Sequence, residues 1–218
     1  MAKGISEVYI ATCDLKIRAY IKTLGGHTIM TSPKHNRAAS RVAEALKNIT
    51  KTKKTYPDVV IMVQGDEPLV PPKALKKLLS EFRNPSVNIA NIMCPLGTST
   101  SFLNKNNVKV VFDCNRDALY FSREPIPSNW KKLKKSQRYM QTGIIAFRPK
   151  KLIEFLSLRE TPLEKAESVD MNRMLEHGHK IRMVPIKEFL IGVDTKEDLK
   201  EAEKILKQDP HLHYYIKK

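Results

Sequence analysis

Two aspartates directly follow apolar segments that have the length of buried strands. Asp66 ends the segment VVIMVQGD (59–66), and Asp194 ends the segment FLIGVD (189–194). In open α/β sheets, ligands bind at the carboxyl ends of the strands, where the two side chains would lie close together. Carboxylate oxygens suit Mg²⁺, which usually takes one or two carboxylates together with phosphates and waters. The pair therefore predicts a magnesium site, although a turn residue or a helix N-cap would explain each aspartate taken alone.

Other residues that could do chemistry lack the spacing that catalysis or metal binding needs. His177 and His179 are two residues apart, as are His211 and His213, and neither pair has the spacing of ligands on one helix. The sequence contains no nucleophile elbow, no Ser/His/Asp order and no glycine-rich phosphate loop. Because the chain has only eight glycines, the absence of such a loop is informative. These patterns do not indicate a serine hydrolase or a P-loop protein.

The composition is typical of one folded domain without a membrane segment. The chain has 218 residues, of which 41% are hydrophobic and 28% charged, so we predict a single globular domain over residues 1–218. No apolar run reaches membrane-spanning length, and the start MAKGISEV is unlike a signal peptide, so we expect no membrane insertion. Cys13, Cys94 and Cys114 are widely separated and odd in number, which favours reduced thiols and a cytoplasmic protein.

The formal net charge of +16 raises the question of a nucleic-acid partner. A surplus of Lys and Arg can mark a face that binds phosphates. Here, however, lysine is spread over most of the chain, and the one dense run is the segment 131–135. The sequence has no RNA-binding aromatic motif, zinc-finger spacing or leucine zipper. We therefore predict a solvated lysine-rich surface and no nucleic-acid partner, and small phosphate-bearing substrates fit the charge equally well.

Strand-like and helix-like patterns alternate along the chain and would position the two aspartates. In the middle, VKVVFD and ALYFSR predict a hairpin. Two later helices begin with the spacing of capping boxes, Thr161 with Glu164 and Thr195 with Asp198. The alternation predicts an α/β fold, a three-layer α/β/α sandwich with a mixed, mostly parallel sheet and an antiparallel excursion in the middle. Other apolar segments predict strands at 7–14, 27–32, 59–63, 142–148, 180–186 and 189–193.

Four motifs in a fixed order resemble one family of enzymes. They are VQGDEPLVPP (63–72), ALYFSREPIP (118–127), TPLEKAES (161–168) and GVDTKEDL (192–199). Together they resemble the cytidylyltransferases that activate 3-deoxy-manno-octulosonate (Kdo) as CMP-Kdo, and the resemblance runs from about Glu7 to about Leu199. It implies a nucleotide-diphospho-sugar-transferase-like fold and a homodimer. The implied reaction joins CTP to an acidic 3-deoxy sugar, giving CMP-sugar and pyrophosphate for lipopolysaccharide or surface-polysaccharide synthesis.

The resemblance also implies roles for individual residues. Asp66 and Asp194 match the acids that hold the Mg²⁺ cofactor in the catalytic site. Arg41 and Gln64 lie in the nucleotide-binding stretches, and Asp66 is also assigned to nucleotide binding. The positions that match the sugar side are Arg123, Gln141, Glu164 and Glu167. Because Glu164 and Glu167 are three residues apart on one predicted helix, they can face the same pocket.

The sequence also departs from the family pattern. Family members begin with a strand and a loop of the form ARxxSxRxPGKxL around the CTP phosphates, whereas this sequence begins at what resembles the second strand, so we expect an N-terminally incomplete domain. The nucleotide turn SGTDR reads RAASR (37–41), and Gln141 and Ile145 replace a histidine and a tyrosine of the family. A second hypothesis is therefore a truncated or degenerate homologue that binds nucleotide or sugar, or dimerises, without catalysis. The identity of the acidic sugar stays open.

Overall fold

The structure, a computed structural model, describes residues 2–131, 138–209 and 212. Apart from Lys131, the predicted lysine run lies outside these residues, as do His211 and His213. None of the described helices is long and apolar enough to cross a membrane. The strands are β1 Ile10–Thr12, β2 Thr28–Met30, β3 Val60–Val63, β4 Ile89–Pro95, β5 Lys109–Phe112, β6 Ala118–Ser122, β7 Tyr139–Phe147 and β8 Arg182–Pro185. The helices are α1 Leu15–Thr23, α2 Ala38–Lys53, α3 Pro72–Glu81, α4 Ser99–Leu103, α5 Pro149–Phe155, α6 Pro162–Glu167, α7 Asp170–Glu176 and α8 Lys196–Leu206.

The large sheet is organised around its long strand β7. One edge of β7 pairs with β4, and β8 pairs with the far side of β4. The other edge of β7 is shared between two strands, because β3 pairs with residues 144–147 and β5 pairs with residues 139–140. β6 completes the sheet beside β5. The end of β3 and the start of β5 therefore meet next to residues 141–143, and a gap between the two strands opens there.

The sheet is mixed, as predicted, but it is not mostly parallel. Among the described strands, β4 with β8 and β1 with β2 are parallel pairs. The pairs β3–β7, β4–β7, β5–β6 and β5–β7 are antiparallel. The reason is that β7 runs against β3 and β4 while lying between them. Its apolar sequence indicates burial on both faces, but apolarity carries no information about strand direction.

Helices cover both faces of the large sheet, which confirms the predicted three layers. Successive side chains of a strand point to opposite faces. In β7, Ile145 and Phe147 belong to one buried cluster, together with side chains of α2, α5 and α7. Ile144 and Ala146 belong to the other cluster, together with side chains of α3 and α4. The sheet is therefore the middle layer of an α/β/α sandwich.

β1 and β2 form a separate two-stranded parallel sheet. α2 packs against β1, β2 and β3, and so connects this small sheet to the large one. Between β1 and β2, the carboxylate of Asp14 caps α1 by accepting hydrogen bonds from the amides of Lys16 and Ile17. No residue of α1 is buried, so this helix contributes little to the core.

The segment that leads to Asp194 differs from its prediction. Residues 189–193 form no strand; the amide of Val193 donates instead to the carbonyl of Asp66, at 2.8 Å. After this segment, Thr195 and Asp198 form the predicted capping box at the start of α8. The short apolar run is thus a loop that joins two remote parts of the chain, which its hydrophobicity alone does not reveal.

Candidate active site

A cleft of about 470 Å³ opens where β7 changes its partner from β5 to β3. Residues 140–143 of β7 line it, together with the segment after β3, the loop before β5 and the segments before α7 and α8. Of the residues singled out in the sequence, the cleft brings together Gln64, Asp66, Arg123, Gln141 and Asp194. Arg41, Glu164 and Glu167 are described but do not line it.

Asp66 lies in the loop after β3, where its side chain is partly buried. Burial raises the pKa of Asp66, and the neighbouring charge of Asp194 adds to the increase. Within the described residues, the buried Oδ1 atom of Asp66 has no hydrogen-bond partner. The bond from the Val193 amide to the Asp66 carbonyl holds the segment before Asp194 against this loop. The fold therefore keeps two carboxylates, remote in sequence, on one side of the cleft.

The two carboxylates suit a divalent cation. A desolvated carboxylate oxygen without a partner is costly unless a cation or a donor meets it. The described residues contain no cluster of three or more His, Cys, Asp and Glu side chains that could hold a metal. Mg²⁺ does not need such a cluster, because one or two carboxylates, substrate phosphates and waters usually complete its shell. Asp66 and Asp194 are therefore the residues that could hold it here.

Glu67, to which the sequence assigns no chemistry, connects the loop after β3 to β7. It is only 9% exposed, and its Oε1 atom accepts a hydrogen bond of 2.5 Å from the amide of Gly143. Burial raises the pKa of Glu67, and Asp66 and Asp194 add to this increase. The amide of Gln64 donates to the carbonyl of Gly143 at 3.0 Å. Both bonds hold the end of β3 beside Asp66. In the sequence, Gly143 is an isolated glycine within an apolar strand, which is the signal that could have pointed to this contact.

Gly143 itself leaves the room that Gln64 needs. A Cβ atom at position 143 would lie 2.9 Å from the Cβ of Gln64 and 3.0 Å from its Cγ and Cδ. Such distances are shorter than van der Waals contact, so a larger residue would push Gln64 away. The glycine therefore lets Gln64 lie against β7 at the edge of the cleft.

Arg123 and Gln141 lie on the side of the cleft formed by β5, β6 and the start of β7. The guanidinium of Arg123 donates from Nε to the carbonyl of Glu167 at 2.7 Å and from Nη1 to the carbonyl of Lys105 at 2.9 Å. The amide of Gln141 donates to the carbonyl of Val108 at 2.9 Å. The buried Oε1 atom of Gln141 has no partner among the described residues. This side of the cleft therefore offers a cation and an unused acceptor.

Glu167 acts on the cleft through Arg123. Its carboxylate accepts hydrogen bonds from Tyr120 Oη at 2.6 Å, from Ser122 Oγ at 2.7 Å and from the amide of Arg123 at 2.8 Å. Burial by itself would raise the pKa of Glu167, but these bonds outweigh it, and the pKa is lowered. The carboxylate of Glu167 thus bonds to protein groups and lies behind Arg123, which lines the cleft.

Glu164 is fully buried in an ion pair. This corrects two predictions, its capping box with Thr161 and its place in one pocket with Glu167. Arg173 donates to both of its carboxylate oxygens at 2.6 Å. Because the side chain is engaged in this way, it does not form the predicted capping box, and Glu176 instead accepts a hydrogen bond of 3.2 Å from the amide of Leu163. Although Glu164 shares a helix with Glu167, the two carboxylates have different partners and do not face one pocket.

Arg37, rather than Arg41, lies at the cleft. Arg41 donates to Thr31 Oγ1 at 2.7 Å and to the carbonyl of His35 at 3.1 Å, and so braces the loop between β2 and α2. Arg37 lines the cleft, with Nε 3.4 Å from the carboxylate of Asp170. Burial raises the pKa of Asp170, whereas the charge of Arg37 opposes this increase. The sequence places both arginines in one segment, but only tertiary contacts separate their roles.

The matched family identifies the class of protein. Residues 1–181 match the family model described as Cytidylyltransferase. The mixed α/β/α fold agrees with this match. The chain therefore belongs to the cytidylyltransferases, which are enzymes.

More specific relatives narrow the family. The protein named 3-deoxy-manno-octulosonate cytidylyltransferase from Thermodesulfovibrio yellowstonii is 37% identical to this chain, over 94% of this chain and 83% of that protein. The one from Bacteroides thetaiotaomicron is 38% identical, over 93% of this chain and 83% of the relative. A solved structure described as CMP:2-keto-3-deoxy-manno-octonic acid synthetase complexed with CTP is 31% identical. It aligns with a TM-score of 0.83, over 95% of this chain and 83% of that one. Within its class, the chain is thus one of the 3-deoxy-manno-octulosonate cytidylyltransferases, as the motifs predict.

Proposed function

We propose that this protein activates Kdo, or a closely related acidic 3-deoxy sugar, with CTP. The products would be the CMP-sugar and pyrophosphate, for lipopolysaccharide or surface-polysaccharide synthesis. The observation that carries the proposal is the meeting of Asp66 and Asp194 in one cleft, with an unsatisfied buried oxygen on Asp66. The named relatives and the similar structure described with CTP support the same reaction.

In the proposed reaction, a hydroxyl oxygen of the sugar attacks the α-phosphorus of CTP in line with the leaving pyrophosphate. The new phosphorus–oxygen bond forms as the bond to the pyrophosphate oxygen breaks, and the hydroxyl proton passes to water. The enzyme acts mainly by positioning and charge compensation. Asp66 and Asp194 would hold Mg²⁺, which screens the negative charge of the phosphates when bound. Gln64, beside them, would contact the nucleotide.

The acidic sugar would bind on the opposite side of the cleft. Arg123 supplies a positive charge for its carboxylate, and the free Oε1 atom of Gln141 can accept a hydrogen bond from a hydroxyl. We assign Glu167 to the sugar side only as the residue that orients Arg123. Glu164, whose carboxylate is taken up by Arg173, would stabilise the same region without touching the sugar.

We also propose a homodimer, as the family resemblance implies, and a cytoplasmic location, which agrees with the three free cysteines and with the need for CTP. Light scattering would measure the dimer directly. A monomer at all concentrations that support activity would contradict it.

The test of catalysis is pyrophosphate release from CTP, Mg²⁺ and Kdo. We expect release by the unaltered chain, and a decrease of about a hundredfold or more for Asp66→Ala, because the metal loses a ligand. Asp58→Ala, at an exposed site before β3, is the matched control and should leave the rate unchanged. Absence of release by the unaltered chain, with CTP and any of several acidic 3-deoxy sugars, would contradict the proposed activity.

A second candidate function is binding of nucleotide or sugar without catalysis. Both arginines that line the described cleft are already engaged, Arg37 with Asp170 and Arg123 with the carbonyls of Glu167 and Lys105. Part of the hydrogen-bonding capacity of both guanidinium groups is thus already used within the protein before a triphosphate binds. A ligand that binds only the folded state raises the melting temperature, so CTP with Mg²⁺ should do so here. An increase that Asp194→Ala abolishes, without pyrophosphate release, would favour this candidate.

A further inference from the structure

Lys109, the first residue of β5, is a lysine without exposed surface. Burial of an ammonium group is costly unless all of its donors find acceptors. The Nζ atom of Lys109 donates to the carbonyls of Asn104 at 3.0 Å, of Asn107 at 2.8 Å and of Arg123. An ammonium has three donors, so these three carbonyls use them all.

The three carbonyls belong to two separate segments that form one side of the cleft. Asn104 and Asn107 are in the loop between α4 and β5, whereas Arg123 follows β6. Asn106, Asn107 and Arg123 themselves line the cleft. Lys109 therefore lies behind this side of the cleft and connects both of its parts.

A second contact ties the same two segments together. The guanidinium of Arg123 donates to the carbonyl of Lys105, in the asparagine-rich loop. Within that loop, the amide of Asn107 donates to the carbonyl of Asn104 at 3.2 Å. The side chain of Asn107 also donates to the carbonyl of Ser101, in α4, at 2.8 Å. The loop is thus a compact unit, and Lys109 is the charged group that fastens this unit to the backbone of Arg123.

We propose that Lys109 is a positioning residue, which holds Arg123 and the loop 104–107 in one rigid side of the cleft and thereby sets the affinity for the acidic sugar. Its effect on the sugar rests on the function proposed above, whereas its effect on the loop does not. A lysine that merely filled space could be replaced by methionine, which has a similar length. A lysine that anchors carbonyls could not, because the substitution leaves the partly buried carbonyls of Asn107 and Arg123 without this donor and removes one of the two donors to the carbonyl of Asn104.

The first experiment measures amide hydrogen exchange of the full chain, without ligands. Lys109→Met should lose protection in residues 101–108 and 122–125 and keep it in β4, in the centre of the sheet. Lys76→Met, on the exposed face of α3, removes the same charge elsewhere and should change neither region. Unchanged protection around the loop, or an equal loss throughout the sheet, would overturn the proposal.

The second experiment separates the two substrates. For Lys109→Met we expect the KM of the acidic sugar to increase by about tenfold or more, as for a displaced binding group, with the KM of CTP unchanged. Lys109→Arg keeps the charge, so its KM for the acidic sugar should increase less than that of Lys109→Met. An equal increase in both KM values, or no change in either, would overturn the assignment to the sugar side.

The two proposals can fail separately. If the unaltered chain releases no pyrophosphate, the proposed function fails, and hydrogen exchange still decides whether Lys109 anchors the loop. If Lys109→Met does not fold, Lys109→Arg takes its place in the exchange experiment. The planar guanidinium cannot direct donors to the same three points, so local protection should still decrease. Full local protection in Lys109→Arg, together with an unchanged sugar KM, would overturn the anchor.

Discussion

Glu167 lies behind the cleft and stabilises Arg123 through hydrogen bonds that depend on its charge. Bonds from Tyr120, Ser122 and the Arg123 amide outweigh the effect of burial, so its pKa in the folded state is below the ordinary value. A carboxylate with a lowered pKa stabilises the folded state above its unfolded pKa. That contribution is lost as the pH falls through the folded-state pKa.

We therefore expect Glu167→Gln to be less stable than the unaltered chain by about 1–3 kcal/mol at pH 7, because bonds to a charged acceptor are replaced. The difference should shrink below about pH 4.3, where an unfolded glutamate becomes protonated. Urea unfolding at pH 7 and pH 3 measures both values. Glu201→Gln, exposed on α8, is the control. A difference that is the same at both pH values would contradict the assigned pKa.

The buried pair of Glu164 and Arg173 is a second prediction at the scale of residues. Glu164 has no exposed surface and Arg173 is 7% exposed, so the loss of one partner leaves a charge in the interior. We expect Glu164→Leu to destabilise the fold by about 3–5 kcal/mol. The double variant Glu164→Leu/Arg173→Met should be more stable than the single one, because it removes both charges. Urea unfolding of the four proteins of this cycle tests the coupling, and simple additivity would contradict it.

At the scale of elements, β7 determines where the cleft opens, and Gly143 lies at the position where β7 changes partner. For Gly143→Ala we expect a loss of about 1–3 kcal/mol in the free energy of unfolding, because the new Cβ overlaps Gln64. The rate of pyrophosphate release should also decrease, since Gln64 and Glu67 would move. Gly97→Ala is the matched control, because a Cβ there meets no atom within 4 Å. Equal stabilities of the two variants would show that Gln64 moves aside without cost.

The elements were predictable from sequence where their signals are local. The capping box of Thr195 and Asp198 forms as predicted, because the two residues lie within one helical turn. The box predicted at Thr161 fails because Arg173, from the next helix, takes the Glu164 side chain. Likewise, the apolar segment 189–193 is a loop rather than a strand, since its amide at Val193 bonds to Asp66. Contacts between remote segments override the local pattern in both failures.

At the scale of the whole molecule, stability should be unevenly distributed. The small sheet has two strands of three residues each, and α1 has no buried residue. Regions with few buried apolar contacts open locally, at a lower free energy than global unfolding of the protein. We expect amides of β1, α1 and β2 to exchange faster than those of β4, with α2 in between because it packs against both sheets. Equal protection of β1 and β4, measured by mass spectrometry on the full chain, would contradict this expectation.

Local sequence patterns were enough to identify the class of fold, the family, and Asp66 and Asp194 as candidate metal ligands. These follow from apolar runs, from turn residues and from motifs that are each contained within a few positions. The direction of β7, the place of Arg37 in the cleft and the internal roles of Glu164 and Glu167 became apparent from three-dimensional contacts. The physical reason is the same in each instance. These roles depend on contacts between residues far apart in the chain, such as Glu67 and Gly143, which are 76 positions apart. Hydrophobic periodicity reports whether a side chain is buried, but not which partner meets it there.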